Sequence, residues 1–134
     1  LKVAFAEKRK CYVYLFGSKN EVNELELSLE PSGFDYLLNF LCMSFGGGTD
    51  IHDPLNMALE KCDTDDWKKA DILVVSDGEF HVSSGLSRKV TNRKQKTGLR
   101  VHGVLIGDTS SAMESICYPV HKFSEWIELR NSQI

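Results

Sequence analysis

The stretch ADILVVSDG, residues 70–78, decides the fold that this sequence predicts. Its apolar residues are continuous rather than alternating, and they end in the Ser-Asp-Gly chemistry of a turn. This pattern is typical of a parallel strand that is buried on both faces of a sheet. A second run of the same kind, RVHGVLIGD, occupies residues 100–108. Two such runs predict a parallel sheet.

Helical patterns precede the first of these strands. A helix is predicted over residues 31–45, because Pro31 suits a first helical turn and apolar residues recur every three or four positions. Its apolar stripe consists of Phe34, Leu37, Leu38, Leu41 and Phe45. A second helix is predicted to begin at Asp53, a good N-cap, with Pro54 as its first helical residue.

A third helix follows residues 70–78, and it is rich in lysine and arginine. Ser83 or Ser84 is predicted to cap it, and Gly98 is predicted to end it. A short helix over residues 112–117 and a strand over residues 122–127 complete the pattern. Helices that alternate with buried strands predict an α/β fold with a mostly parallel sheet and helices on both faces.

The amino-terminal part of the chain predicts a β-hairpin. CYVYLFG, residues 11–17, is almost continuously β-prone, whereas VNELELSL, residues 22–29, alternates between apolar and polar side chains. Alternation is typical of an exposed, edge-type strand, and the short spacer between the two runs is compatible with a hairpin.

The composition excludes several classes of protein. A formal charge of −3 over 134 residues argues against a dedicated nucleic-acid module, which is usually basic, and no apolar run is long enough to span a bilayer. The four cysteines show no C-x-x-C spacing, which predicts reduced core thiols in an intracellular protein, cytoplasmic or in an organelle. Because the chain starts at Leu1, we expect a fragment or processed product of a longer protein.

A bare glycine loop, FGGGTDIHDP at residues 45–54, is the first candidate site. A phosphate cradle, a metal site and a plain turn are the three interpretations of it. No lysine follows the glycines as in a Walker loop, and the loop follows a helix rather than a strand, so a phosphate cradle is disfavoured. The metal site and the plain turn remain open.

Carboxylates that follow the two buried strands are the second candidate site. Asp77 and Asp108 come directly after these strands, and functional residues of open α/β sheets gather at such carboxyl ends. Mg²⁺ prefers oxygen ligands, which Asp77 and the Thr49 hydroxyl would offer. Asp50 is better interpreted as a carboxylate at a helix N-terminus than as a ligand.

The order of CYVYLFG, GGGTD before a helix, ILVVSDGE and VHGVLIG resembles a von Willebrand factor A (VWA) domain over nearly the whole chain. It is most similar to intracellular VWA proteins that partner MoxR-type AAA+ ATPases. The resemblance implies a single domain over residues 1–134 with a Rossmann-like fold, whose mostly parallel central sheet carries one antiparallel edge strand. It also implies a metal-ion-dependent adhesion site for Mg²⁺ or Mn²⁺, in which Thr49 and Asp77 are ligands. The loop residues that would support this site are Gly46, Gly47, Gly48, Asp50, Ser76 and Gly78.

The sequence departs from the VWA pattern at one point, because no D-x-S-x-S motif occurs in it. In the family this motif ends a first strand that is central in the sheet, so its loss removes a neighbour from both flanking strands. Either the protein continues upstream of Leu1, or another chain supplies the strand. The metal site is therefore conditional on that segment.

The function that the resemblance implies is a non-enzymatic protein-interaction module. A partner's Asp or Glu would complete the coordination of the cation, and the partner would be a MoxR-type AAA+ ATPase or one of its targets, with no membrane or nucleic acid involved. A metal-free VWA scaffold in a larger assembly is the alternative. A Mg²⁺-dependent phosphohydrolase is the third interpretation, although no nucleophile motif accompanies the carboxylates.

Overall fold

A computed structural model of the chain describes residues 3, 6–28, 30–43 and 48–124. Two compact units make up the chain, Leu1–Pro54 and Leu55–Ile134, and each is described by itself. The prediction of a single domain over residues 1–134 stays a prediction. Among the described helices, none combines the length and the apolar character needed to cross a bilayer.

The first unit contains the predicted β-hairpin. Strands β1, Tyr12–Phe16, and β2, Val22–Glu26, pair antiparallel, with Tyr12 opposite Glu26 and Phe16 opposite Val22. The turn between them is closed by the backbone bond from Gly17 N–H to the Glu21 carbonyl at 3.0 Å. The hairpin prediction is confirmed, because a short polar spacer between two β-prone runs encodes it locally.

Helix α1, Pro31–Leu41, buries only one side of its apolar surface. Gly33, Leu37 and Phe40 are buried, and Pro31 occupies the first turn as predicted. The other three predicted stripe residues in the described chain are exposed, namely Phe34, Leu38 and Leu41. Phe45 lies outside the described residues. The predicted apolar stripe is thus only partly buried, because the helix is apolar on two adjacent sides and spacing alone cannot say which side has a partner.

Helix α2, His52–Lys61, starts slightly earlier than its sequence predicts. Asp53 lies in the first turn rather than at the N-cap. Leu55 and Leu59 form the buried side of the helix. The earlier start follows from a hydrogen bond that the Asp50 side chain accepts from His52, which is described with the site below.

The second unit is built on a three-stranded parallel sheet. Its strands, in the spatial order β3-β4-β5, are β3, Ile72–Ser76, β4, Val101–Ile106, and β5, Val120–Phe123. Helix α3, Ser84–Thr97, connects β3 to β4, and the short helix α4, Ser111–Glu114, connects β4 to β5. Such crossover connections are what parallel strands require.

The caps of α3 agree with the sequence analysis. Ser83 is the N-cap, and its hydroxyl accepts a hydrogen bond from Leu86 N–H at 3.2 Å. Gly98 ends the helix in a left-handed conformation with φ of 71°. Both ends are encoded by single residues whose chemistry satisfies free backbone groups of the helix.

Strand β4 forms the centre of the second unit. Val101, Gly103 and Leu105 alternate on its buried side. Gly103 permits the close approach of the segment around α4, because a Cβ there would lie 3.0 Å from Met113 Cγ and 3.1 Å from Cys117 Cβ. Burial raises the pKa of the Cys117 thiol to about 12, so this cysteine stays protonated.

The four cysteines are all free thiols, but they are not all in the core. Cys117 is buried, Cys11 and Cys62 are half-buried, and Cys42 is exposed. Burial raises the pKa of the Cys11 and Cys62 thiols as well. The prediction of core cysteines is therefore wrong for Cys42, which follows α1 on the exposed side of the chain.

Two further predictions about the sheet are wrong. Strand β3 buries Val74 but exposes Leu73 and Val75, whose exposed fractions are 61% and 45%, so it is not covered on both faces. The strands form a two-stranded antiparallel sheet and a three-stranded parallel sheet, not one mostly parallel Rossmann-like sheet with an antiparallel edge strand.

The reason for both errors lies in what a continuous apolar run encodes. A run such as ILVVS specifies a strand but not its neighbours. Within the described residues, β1 is hydrogen-bonded only to β2, and β3 only to β4.

Candidate metal site

The turn after β3 fixes the orientation of the Asp77 carboxylate. Its Oδ1 atom accepts hydrogen bonds from Glu79 N–H at 3.0 Å and from the Ser76 hydroxyl at 3.3 Å. The Ser76 hydroxyl in turn accepts one from Gly78 N–H at 3.2 Å. In the part of the chain that the structure describes, no group donates to the second oxygen, Oδ2. The side chain is exposed, so Oδ2 is accessible to a cation or to water.

Gly78 allows this turn to lie against the loop after β4. Its φ is 81°, in the left-handed region that favours glycine. A Cβ at this position would lie 2.7 Å from Leu105 Cδ1 and would also meet the backbone oxygen of Thr109. Gly107 lies on the other side of the contact, where a Cβ would be 3.5 Å from the Asp77 carbonyl oxygen. The turn that holds Asp77 is thus supported by the neighbouring strand.

The described end of the glycine loop lies on the hairpin turn of the first unit. Gly48 has φ of 80°, and a Cβ there would meet the Ser18 side chain. Asp50 N–H donates to the Gly17 carbonyl at 2.6 Å. Thr49, between these two contacts, is exposed. The left-handed backbone favours glycine at position 48, and Thr49 follows it as an exposed residue.

Asp50 helps to start helix α2. Its Oδ1 atom accepts from His52 N–H at 2.9 Å and lies 3.0 Å from His52 Nδ1. The hydrogen bond from the His52 backbone holds the pKa of the Asp50 carboxyl below its ordinary value. Both bonds end on Oδ1 and stabilise the start of α2. The interpretation that Asp50 is not a ligand stays a prediction.

We expect Asp50→Ala to lower the free energy of unfolding by about 1 kcal/mol, because it removes the hydrogen bond at the start of α2. Asp50→Asn is the matched control, since an asparagine oxygen can accept the same bond without a charge. Because the folded pKa of Asp50 is depressed, its stabilisation is present above the unfolded pKa and is lost as the pH falls through the folded pKa. Urea denaturation between pH 7 and pH 3 should therefore show a shallower loss of stability on acidification in Asp50→Asn than in the unmodified chain. An unchanged acid dependence would contradict this role.

The predicted site residues fall into two groups. Gly48, Thr49 and Asp50 belong to the first unit, and Ser76–Gly78 belong to the second. Gly46 and Gly47 lie outside the described residues. Thr49 and Asp77, the two predicted metal ligands, therefore belong to different units. That they bind one cation together stays a prediction. Among the described side chains, no cluster of three or more His, Cys, Asp or Glu is arranged to hold a metal ion.

Residues that the sequence analysis missed support both loops. The Ser18 side chain lies next to Gly48 of the glycine loop. Leu105 and Thr109 lie next to Gly78 in the turn around Asp77. Ser18 lies in a turn-like spacer after β1, and Thr109 lies three residues after the end of β4, so both positions carried a signal that they lie in loops. Their contacts depend on the pairing of strands, which no local pattern specifies.

A comparison with known proteins relates the chain to a regulatory protein. It is 34% identical over 109 residues to Regulatory protein ViaA from Proteus mirabilis (strain HI4320). The match covers 81% of this chain and 22% of the relative, so the chain spans about a fifth of the length of the curated relative it matches. No family model matches the chain, and the resemblance to a VWA domain stays a prediction. No solved structure matches it either.

The region of similarity includes most of the chain, and the relative's name describes a regulatory protein. This agrees in outline with the predicted interaction module. Metal binding, the acidic partner residue and the ATPase partner go beyond that name.

Proposed function

We propose that this chain is a regulatory protein-interaction module that performs no chemistry on its partner. The observation that carries this proposal is the 34% identity to a protein named as regulatory, over 81% of the chain. The VWA resemblance gives the proposal its detail, including a cation that bridges to an acidic partner residue. The partner suggested by that resemblance is a MoxR-type AAA+ ATPase or a protein on which such an ATPase acts.

The cation site that we propose uses Asp77 and Thr49. Asp77 offers a hard carboxylate oxygen, Oδ2, while its other oxygen is fixed by Glu79 N–H and the Ser76 hydroxyl. Thr49 offers an exposed hydroxyl. Oxygen donors of this kind fit Mg²⁺ or Mn²⁺. When bound, the cation would supply a positive charge with a coordination position for the partner's Asp or Glu.

Two protein oxygens are too few for a stable site by themselves. Mg²⁺ requires about six oxygen ligands and retains several waters. The remaining protein ligands would come from the D-x-S-x-S segment that the resemblance calls for and these residues lack. The described residues are thus compatible with part of a magnesium site, and the proposal remains conditional on that segment.

A metal-free scaffold is the second candidate, and the hydrogen bonds of the Asp77 turn favour it. Glu79 N–H and the Ser76 hydroxyl both donate to Asp77 Oδ1, as in a turn that needs no cation. On this interpretation the Asp77 turn is purely structural, and the chain binds its partner through the surfaces of its helices and sheets.

A calorimetric titration with Mg²⁺ and Mn²⁺ distinguishes the two candidates. We expect saturable binding in a longer form of the protein that carries a D-x-S-x-S segment, and at least tenfold weaker binding in the 134-residue chain. Asp77→Ala should abolish the binding, because it removes the accessible carboxylate oxygen. Asp108→Ala is the matched control, since it removes an exposed carboxylate that follows the neighbouring strand β4. It should leave the binding unchanged.

Absence of a binding heat in the longer form would remove the metal-bridged proposal and leave the scaffold. Equal losses in Asp77→Ala and Asp108→Ala would show nonspecific attraction of the cation to surface carboxylates. Once a partner is identified, its affinity should fall in the presence of EDTA if the cation bridges the two proteins, and should not change for a metal-free scaffold.

A further inference from the structure

Helix α1 of the first unit presents an apolar surface that nothing in the described chain covers. Phe34, Leu38 and Leu41 are spaced four and three residues apart, so they lie in one row along the helix. Their exposed fractions are 39%, 47% and 45%. We call these three residues the α1 stripe. It lies beside the buried row of Gly33, Leu37 and Phe40, which holds the helix in place.

Carboxylates border the α1 stripe. Asp35 lies three residues before Leu38 and therefore next to the row on the helix surface. Glu30 is the N-cap residue that directly precedes the helix and its first exposed apolar residue, Phe34. The Glu30 and Asp35 side chains are exposed, and neither forms an ion pair with another residue that the structure describes. The apolar row therefore has an acidic border.

The sequence on both sides of α1 is also negatively charged. No lysine or arginine occurs between Lys19 and Lys61. The acidic residues of the first unit in this interval are Glu21, Glu24, Glu26, Glu30, Asp35, Asp50 and Asp53. The segment around the α1 stripe thus has a local negative charge that the overall charge of −3 conceals.

We propose that the α1 stripe docks an amphipathic helix of a partner protein, whose apolar side is bordered by lysines or arginines. An apolar row at i, i+4 and i+7 suits ridges-into-grooves packing with a second helix. Basic residues on both sides of that helix would meet Glu30 and Asp35. This proposal is independent of the metal site, because it involves neither Thr49 nor Asp77.

The charge distribution selects this occupant over two others. A second copy of the chain, docked through the same surface, would bring Glu30 and Asp35 against equivalent carboxylates. An anionic membrane surface would be repelled in the same way. A basic amphipathic helix satisfies both the apolar row and its border.

The test uses a synthetic 18-residue amphipathic peptide with leucines on one side and lysines and arginines along both borders. Fluorescence anisotropy should show saturable binding of this peptide to the 134-residue chain. Leu38→Gln and Leu41→Gln should each weaken it at least tenfold, because each removes an apolar contact from the centre of the interface. Tyr36→Gln is the matched control, since Tyr36 is 68% exposed on α1 but lies outside the row. It should bind as the unmodified chain does.

Charge is tested separately from apolar contact. Asp35→Lys should lower the affinity of the chain for the peptide and reduce the salt dependence of binding. A peptide with glutamates in place of its basic residues should not bind. Circular dichroism of each variant verifies the fold, and because the replaced side chains are exposed we expect no loss of helix.

Several outcomes would overturn the proposal. Equal binding of a scrambled peptide with the same composition would show nonspecific charge attraction. Unchanged binding in Leu38→Gln would place the peptide elsewhere on the chain. Light scattering that shows a dimer, lost in Leu38→Gln, would assign the stripe to a second copy, and binding to phosphatidylserine vesicles that Leu38→Gln abolishes would assign it to a membrane.

Discussion

Leu105→Ala should lower the free energy of unfolding by about 2–5 kcal/mol, the range for truncating a fully buried leucine. Leu105 is 0% exposed at the centre of the three-stranded sheet. Its removal leaves a cavity where β4 supports the turn after β3, since a Cβ on Gly78 would lie 2.7 Å from Leu105 Cδ1. We therefore expect Leu105→Ala to destabilise both the core and the turn that orients Asp77.

Leu73→Ala provides the matched control, because it makes the same chemical change on the neighbouring strand β3. Leu73 is 61% exposed, so its truncation should change the stability by no more than about 0.5 kcal/mol. Urea denaturation monitored by circular dichroism measures both variants. Similar losses for Leu105→Ala and Leu73→Ala would mean that β4 is not the centre of the core.

Gly78→Ala is the second substitution with a large expected effect, a loss of more than about 2 kcal/mol. Its φ of 81° disfavours alanine, which costs roughly 1–2 kcal/mol in the left-handed conformation. The added methyl group must in addition displace the Thr109 backbone oxygen or the Leu105 side chain. Backbone cannot move aside as easily as the end of a flexible side chain, so the two costs should add.

Gly98→Ala separates these two costs. Gly98 has a similar φ of 71°, but a Cβ there would have no neighbour within 4 Å. Gly98→Ala should therefore cost only the conformational part of the free energy, roughly 1–2 kcal/mol. If Gly78→Ala destabilised the chain no more than Gly98→Ala in the same urea experiment, the close packing of the Asp77 turn on the loop after β4 would be wrong.

Features encoded by neighbouring residues were predictable from the sequence. Ser83 and Gly98 cap α3 because their chemistry satisfies free backbone groups within one turn of each helix end. The β1–β2 hairpin follows from two β-prone runs and a short spacer. The parallel strands β3 and β4 likewise lie where the apolar runs predict them.

Features that depend on distant partners were not predictable. The continuous apolar run of β3 could not reveal that Leu73 and Val75 lack a covering layer. The spacing on α1 identified apolar residues but not which row is buried, because Leu37 and Leu38 differ only in what faces them. The single-sheet prediction failed for the same reason, since the number of sheets depends on which strands pair.

The candidate site likewise has some features that neighbouring residues encode and others that depend on distant partners. Glycine-rich turns and carboxylates at strand ends are visible in the sequence, and the structure shows how Ser76 and Glu79 orient Asp77. The role of Gly48 could not be read from the sequence, because it depends on the approach of Ser18. Whether Thr49 and Asp77 share a cation is a question for the titration.

The exposed side of β3 has a consequence for solubility. ILVVS is a short, uncharged, β-prone segment at an end of its sheet in the described chain, and such segments promote aggregation through strand pairing between molecules. Acidic gatekeepers flank it, Asp71 before and Asp77 after, but Asp71 is already paired with Arg100 at 3.0 Å. Among the described residues no ion pair involves Asp77, so we expect its negative charge to discourage self-association of this strand. A carboxylate proposed to hold a cation would also keep the protein in solution, so neutralising it by mutation or by metal would favour aggregation.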